Sequence, residues 1–144
     1  MKISIKTNLP RVFAAGGNVD ITPALLRVGY AVRDRTNVYP PKTRSAKIRW
    51  ASERQRRYVL SHVPLPYIRR GYLAKMWMVT PTPPAQVVVR NTAPYAAFVI
   101  GRAQQPFHLD RGWKRVDEET GKVARDKAVI KDVAAILEQQ LKQR

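Results

Sequence analysis

The segment "GYLAKMWMVTPTPPAQVVVRN", residues 71–91, changes character at its glycine. From there Tyr72, Ala74, Met76 and Met78 fall on one face of an extended chain, and Leu73, Lys75, Trp77 and Val79 on the other. Both faces are largely apolar, which predicts a strand covered on both sides. Helices can cover one side, and a second sheet or a neighbouring subunit is needed for the other. "TPTPP" (80–84) is too rich in proline for ladder pairing and reads as a turn, after which "AQVVVRN" (85–91) returns as a second strand. The expectation is a central antiparallel hairpin with a stiff tip. Gly71 is the bend that admits it, and Arg69 and Arg70 form a basic rim just before the bend.

Around this hairpin the remaining patterns supply helices and one more strand. "KISIKTN" alternates Ile3 and Ile5 with polar residues, a short half-exposed strand. "DITPALLRVGYAVRDRTNVYPP" reads as a helix with Thr22 as cap, Pro23 at the first helical position and an apolar stripe of Leu25, Leu26, Val28, Gly29 and Val32. Pro40 and Pro41 stop it. Ser52 is placed to cap a second helix running to about His62, basic on its outer side. "TAPYAAFVIG" reads as one or two helical turns or a bent strand, and the polar loop after it leads to Asp110 as the cap of a further helix. Gly121 is a candidate interruption. Beyond Val123, Ile130, Val133, Ala134, Leu137 and Leu141 recur at helical spacing, a long amphipathic C-terminal helix. The expected class is α+β in a single domain, residues 1–144: a small antiparallel sheet with a central hairpin, packed by helices.

At 144 residues the chain is long enough for one real core and short for two. It has no cysteine, which removes disulfides and thiolate metal sites. Its longest apolar runs fall far below the roughly 20 residues of a spanning helix, so a soluble protein with no membrane partner is expected. The net charge is +17, and residues 42–75, with ten basic and one acidic side chain, hold nine of those charges. A block so one-sided attracts polyanions or an acidic protein surface through salt-sensitive forces. Arg54, Arg56, Arg57, Arg69 and Arg70 are the candidates to face DNA or a partner. The bland alternative is a solvated basic face.

Reaction chemistry finds little footing. His62 closes a helix, where it suits the C-terminal carbonyls. His108, with Asp110 two residues on, is a possible base without an obvious nucleophile. Asp117, Glu118, Glu119, Asp126, Asp132 and Glu138 intersperse with lysine and arginine as on a solvated helix face. No metal-ligand spacing occurs, and "AAGGN" (14–18) lacks the spacing and lysine of a phosphate loop. The expectation is a non-enzymatic protein with no catalytic, cofactor or metal residues. A small basic ribonuclease using His108, and a sequence-independent DNA- or RNA-binding protein using residues 42–75, stand as alternatives.

Three pieces taken in order, "IRWASERQRRYV" (48–59), "YIRRGYLAKMW" (67–77) and "VVVRNTAPYAAFVIG" with "QQPFHLDRGW" (87–113), resemble the tail-completion, or neck, proteins of tailed bacteriophages, also called minor tail proteins. The positions that carry the likeness are Arg70, Gly71, Leu73 and Trp77; Asn91, Pro94, Tyr95, Ala96 and Gly101; and Gly112 with Trp113. The chain departs from the family pattern where Arg70 meets Gly71 without an intervening threonine, and where Ile100 stands before Gly101 in place of a polar residue. The resemblance covers about the middle half of the chain. It implies an α+β fold and assembly into a ring, commonly sixfold, at the head–tail junction of the virion after synthesis in the host cytoplasm. Its implied partners are further copies of itself, neighbouring neck and tail proteins, and packaged DNA met by diffuse electrostatics.

Overall fold

The computed structural model describes residues 2–6, 19–40, 50–62, 71–83 and 85–143. Among these residues the chain is α+β, with three strands and seven helices: β1 (Lys2–Lys6), α1 (Thr22–Thr36), α2 (Glu53–His62), α3 (Tyr72–Lys75), β2 (Trp77–Thr82), β3 (Gln86–Asn91), α4 (Ala96–Val99), α5 (Pro106–Asp110), α6 (Val116–Val123) and α7 (Lys127–Lys142). The sheet is antiparallel in the order β1-β3-β2. Lys2 pairs with Arg90 on one side of β3, and Trp77 with Asn91 on the other. The hairpin, the small sheet and the long C-terminal helix expected from the sequence are present.

The first strand of the hairpin differs from expectation at both ends. Residues 72–75 form a helical turn, so the strand begins at Trp77. Leu73, Ala74 and Lys75 are good helix formers, and the turn's Leu73 carbonyl finds a partner in the Asn91 side chain, 2.8 Å away. At the other end Pro81 belongs to the ladder, in register with Val87, although the proline-rich segment reads as a turn. β2 is an edge strand, so the N–H that Pro81 lacks is on the unpaired side.

Among the described residues only one face of the sheet is covered, where an apolar alternation predicts two. Trp77 and Val79 of β2 and Val87, Val89 and Asn91 of β3 point inward, where Val87, Val89 and Asn91 are fully buried. Met78, Thr80, Thr82, Val88 and Arg90 point outward, with Lys2 beside them, around a shallow open depression. The inward face meets α1. Closest approach is at Gly29, where a Cβ would lie 2.5 Å from Cγ1 of Val79 and 2.7 Å from Cγ2 of Val87. A glycine in a helix interior costs about 1 kcal/mol relative to alanine; here it admits the helix to the sheet.

α1 starts differently from expectation. Its first backbone N–H, that of Thr22, donates to Asp20 Oδ1 at 2.9 Å, so the capping oxygen comes from two residues earlier. Hydrogen bonds from the Thr22 side chain and from this N–H lower the pKa of the Asp20 carboxyl. Pro23 does occupy the first turn, and the helix ends at Thr36, ahead of Pro40. α2 is capped as expected: Ser52 Oγ accepts the Gln55 N–H at 3.1 Å, and Gln55 Oε1 accepts the Ala51 N–H in return.

The C-terminal half also departs in two places. Asp110 ends α5 rather than capping a new helix, because Pro106 starts that turn four residues earlier. Gly121 is an ordinary residue within α6, and the break falls at residues 124–126 instead. There Asp126 caps α7, its Oδ1 accepting the Ala128 N–H at 2.9 Å while Oδ2 pairs with Arg35 of α1. These contacts, the Ala128 hydrogen bond foremost, hold the Asp126 carboxyl below its ordinary value of 3.8. A depressed folded-state pKa contributes stability above the unfolded value that is lost as pH falls through the folded one. Asp126→Ala is therefore expected to lower the melting temperature at neutral pH and to flatten its fall on acidification below about pH 4. Asp126→Asn, which can still cap, should retain more of the neutral-pH stability. Thermal melts of the three proteins between acid and neutral pH read both effects.

The core joins the halves of the chain: Val32 of α1, Leu73, Val89, Ala96, Ile100, Val116, Val123 and Val129 form one buried cluster. Glu119, on the same helix as Val116 and Val123, is also buried and pairs with Lys122 Nζ at 2.6 Å.

Candidate interaction surfaces

Two layers of organisation bear on function: an internal unit that sets the shape of the middle of the chain, and the surfaces that this shape exposes.

The internal unit is held by two side-chain amides. Asn91 is completely buried; its Nδ2 donates to the Leu73 carbonyl at 2.8 Å, and its Oδ1 accepts the Ala93 N–H at 3.0 Å. One residue thus ties the turn after Gly71 to the bend that leads into α4. The Thr92 N–H donates to the Met76 carbonyl beside it, and the rings of Tyr72 and Tyr95 lie 6.3 Å apart. Gly71 has φ +70°, a conformation that a side chain disfavours, and it precedes the buried Leu73. Trp77 is half-buried against the core, Pro94 is exposed and Ala96 is buried.

Gln104 makes the second tie. Its Nε2 donates to the carbonyls of Val99, at 2.8 Å, and Trp113, at 2.9 Å, while its backbone N–H donates to Gly101. Gly101 is buried, and Gly112 has φ +77°. Trp113 then packs on Tyr39, ring centroids 4.9 Å apart, and edge-on to His108 at 5.8 Å. Burial raises the pKa of the Tyr39 phenol, whose hydroxyl donates to Asn37. Gln104 and Tyr39 carry no sequence signal of this role, because a glutamine in a polar loop looks like any solvated residue. His108 lies between Phe107 and Trp113, its ring centroid 3.9 Å from that of Phe107. Asp110 is exposed. Among the described residues no group of three acidic, histidine or cysteine side chains could hold a metal ion, and no helix is long and apolar enough to cross a membrane.

The exposed surface of most interest is α2. It touches the body through Gln55 Nε2 donating to Gln105 Oε1 at 2.9 Å, and Trp50, just before it, faces Phe107 at 6.1 Å between centroids. Arg54, Arg56 and Arg57 are all exposed, together with Tyr58 at 62% and Leu60 at 49%. Helical spacing sets Arg54, Arg57 and Tyr58 on one face and turns Arg56 and Leu60 to the next. Glu53 approaches Arg56 at 3.5 Å and Arg57 at 3.7 Å, exposed pairs of little energetic weight. The helix is therefore a cationic surface with apolar relief. Arg69 and Arg70 lie outside the described residues. The second surface is the sheet face that no other described element covers, where Arg90 and Lys2 flank Met78, Thr80, Thr82 and Val88.

No family model, curated protein or solved structure matches this chain.

Proposed function

We propose that this protein is a non-enzymatic structural component of a tailed bacteriophage, a ring-forming adaptor that joins or completes the tail at the head–tail junction. The observation that carries the reading is the union of its three resembling segments. Asn91 binds the second to the third, Gln55 joins the first to the third through Gln105, and Gln104 links Gly101 to Trp113, so residues scattered over 50–113 are held together. Further support comes from the sheet face of Met78, Thr80, Thr82, Val88 and Arg90, which no other described element covers, as suits a subunit that meets neighbours on assembly. The proposed partners are further copies in a ring, sixfold as is common in the family it resembles, adjoining neck and tail proteins, and packaged DNA approached through diffuse positive charge. In this reading α2 supplies part of that charge.

The decisive experiment is a phage lacking the gene. Heads and tails that fail to join, or tails of uncontrolled length, with function restored by the protein supplied in trans, are the expected result in electron micrographs. Normal infectious particles without the protein would sink the reading.

A second reading, sequence-independent binding of DNA or RNA through residues 42–75, is favoured by the exposure of Arg54, Arg56 and Arg57 on α2. It predicts binding that weakens steeply with salt. Changing those three arginines to alanine should flatten the log–log salt dependence by about 2–3, since each phosphate contact contributes roughly 0.9 to the slope. Fluorescence anisotropy with an unrelated duplex measures this. An unchanged slope would remove α2 from the nucleic-acid surface.

A further inference from the structure

The last helix carries two parallel apolar seams, and the core uses one. Val129, Val133, Ile136 and Gln140 are buried or half-buried on the inner side of α7, which Arg27 Nη2 and Asp132 Oδ2 clamp against α1 at 2.6 Å. One residue further round lie Ile130, Ala134, Leu137 and Leu141. Ile130 is 53% exposed and Leu141 49%; Ala134 is exposed and Leu137 half-buried. The intervals are four, three and four, the spacing that keeps a seam facing a partner helix in a coiled coil.

We propose that this outer seam is the docking site for α7 of a second copy of the chain, in antiparallel orientation. A twofold axis passing between Ala135 and Ile136 sets Ile130 against Leu141 of the second copy, and Ala134 against Leu137. Small opposite large at the middle layers lets the helices approach closely. The charges flanking the seam decide the orientation. Lys131 follows Ile130 by one residue and Glu138 precedes Leu141 by three, so antiparallel packing brings each Lys131 to the other copy's Glu138, twice over. Parallel packing would instead set like charges at the same level. Both side chains are exposed. Glu138 is also the acid that the chain leaves for such a partner: Asp117, Glu118, Glu119, Asp126 and Asp132 of the last two helices and the turn between them all pair with a cation of their own chain.

The contact is isologous and closes at two copies, so it is distinct from a ring contact and does not depend on the neck reading. Four layers along a helix of about 24 Å make an interface near the small end of the specific range. A dissociation constant on the order of 10–100 μM is expected. Each copy carries +17, so their mutual repulsion must be screened; about 0.15 M salt, with a Debye length near 8 Å, does this while leaving the close pairs in place.

Sedimentation equilibrium of the full chain at that salt is the test. A reversible dimer is expected, weakened at least about tenfold by Ile130→Glu, an exposed position whose change leaves the melting temperature in place. Lys131→Glu or Glu138→Lys alone should weaken it about threefold or more, and the two changes together should restore it. Since the chain has no cysteine, orientation is read by mixing Lys131→Cys protein with Glu138→Cys protein and adding a short bifunctional maleimide. The mixed product is expected. A chain that stays monomeric, an assembly indifferent to Ile130→Glu, a double charge reversal that fails to restore the dimer, or like-with-like crosslinks from each variant alone would each overturn the proposal.

Discussion

Leucine at position 29 is expected to abolish cooperative folding, and alanine there to weaken the fold. The position lies in the middle of α1, facing the sheet, where the first carbon of any side chain would come within 2.5 Å of Val79 and 2.7 Å of Val87. Those neighbours are methyl groups on a sheet, and Val87 is fully buried, so neither can swing away as the end of a long flexible side chain could. For alanine two effects oppose one another. Helix propensity gains about 1 kcal/mol, while overpacking of a filled core costs about 1–3 kcal/mol. Two contacts under 3 Å place the cost toward the upper end, so a net loss of about 1–2 kcal/mol is expected. Leucine adds three more carbons with nowhere to go and should lose more than about 4 kcal/mol, a large share of a small domain's stability. Urea denaturation followed by circular dichroism separates these outcomes. Gly121, in a helix with nothing within 4 Å of an added Cβ, is the control. Alanine there should be neutral or stabilising. If Gly29→Ala is as stable as Gly121→Ala, the close approach of α1 to the sheet is wrong.

The second large effect is expected at Asn91. Its amide makes two hydrogen bonds with no exposure to water, one given to Leu73 and one received from Ala93. Alanine would leave the Ala93 N–H without its acceptor, leave the Leu73 carbonyl only the longer bond from Met76 N–H at 3.4 Å, and open a small void, for a loss of about 2–4 kcal/mol. Aspartate is the informative variant. It keeps an acceptor for the Ala93 N–H but turns a second oxygen toward the Leu73 carbonyl, which is tolerable only when the acid is protonated. Burial and that carbonyl raise its folded-state pKa above the unfolded value near 4. A raised acid pKa contributes stability that is present below the unfolded value and lost as pH rises through the folded one. Asn91→Asp should thus approach the parent near pH 4 and fall away toward neutrality, whereas Asn91→Ala should show the same deficit at both. Parallel stability–pH curves for the two variants would show that Asn91 does not hold the turn after Gly71.

How much of this was visible in the chain differs from one element to the next. α1 and α7 are legible because each is long and its apolar residues repeat at helical spacing against polar neighbours, so local pattern and final packing agree. β3 is legible because three consecutive valines suit an extended, buried strand. The segment 72–76 is not. Its alternation fits a strand as well as a single helical turn, and the choice is made by Asn91, eighteen residues away, which accepts the turn into the core. The ladder position of Pro81 was hidden for a related reason: proline is excluded from a paired strand only on the side that must donate. Whether that side is paired depends on the order of strands, a property of the whole sheet.

The sites divide in the same way. Positive charge is additive and local, so the cationic character of 42–75 and of α2 follows from counting residues. Which glutamine would bridge Val99 and Trp113 does not, because Gln104 differs from other glutamines only in what folding brings within 3 Å of it. By itself, then, the amino-acid order determined the class of the fold, the amphipathic faces and the strong positive charge, all of which follow from periodicity and composition. Tertiary structure alone decided that Gly29 is a contact point, that Asn91 is the tie beneath the hairpin, and that one seam of α7 stays outside the core. Each of these rests on distances between residues far apart in the chain, and packing sets those distances where local propensity leaves two choices open.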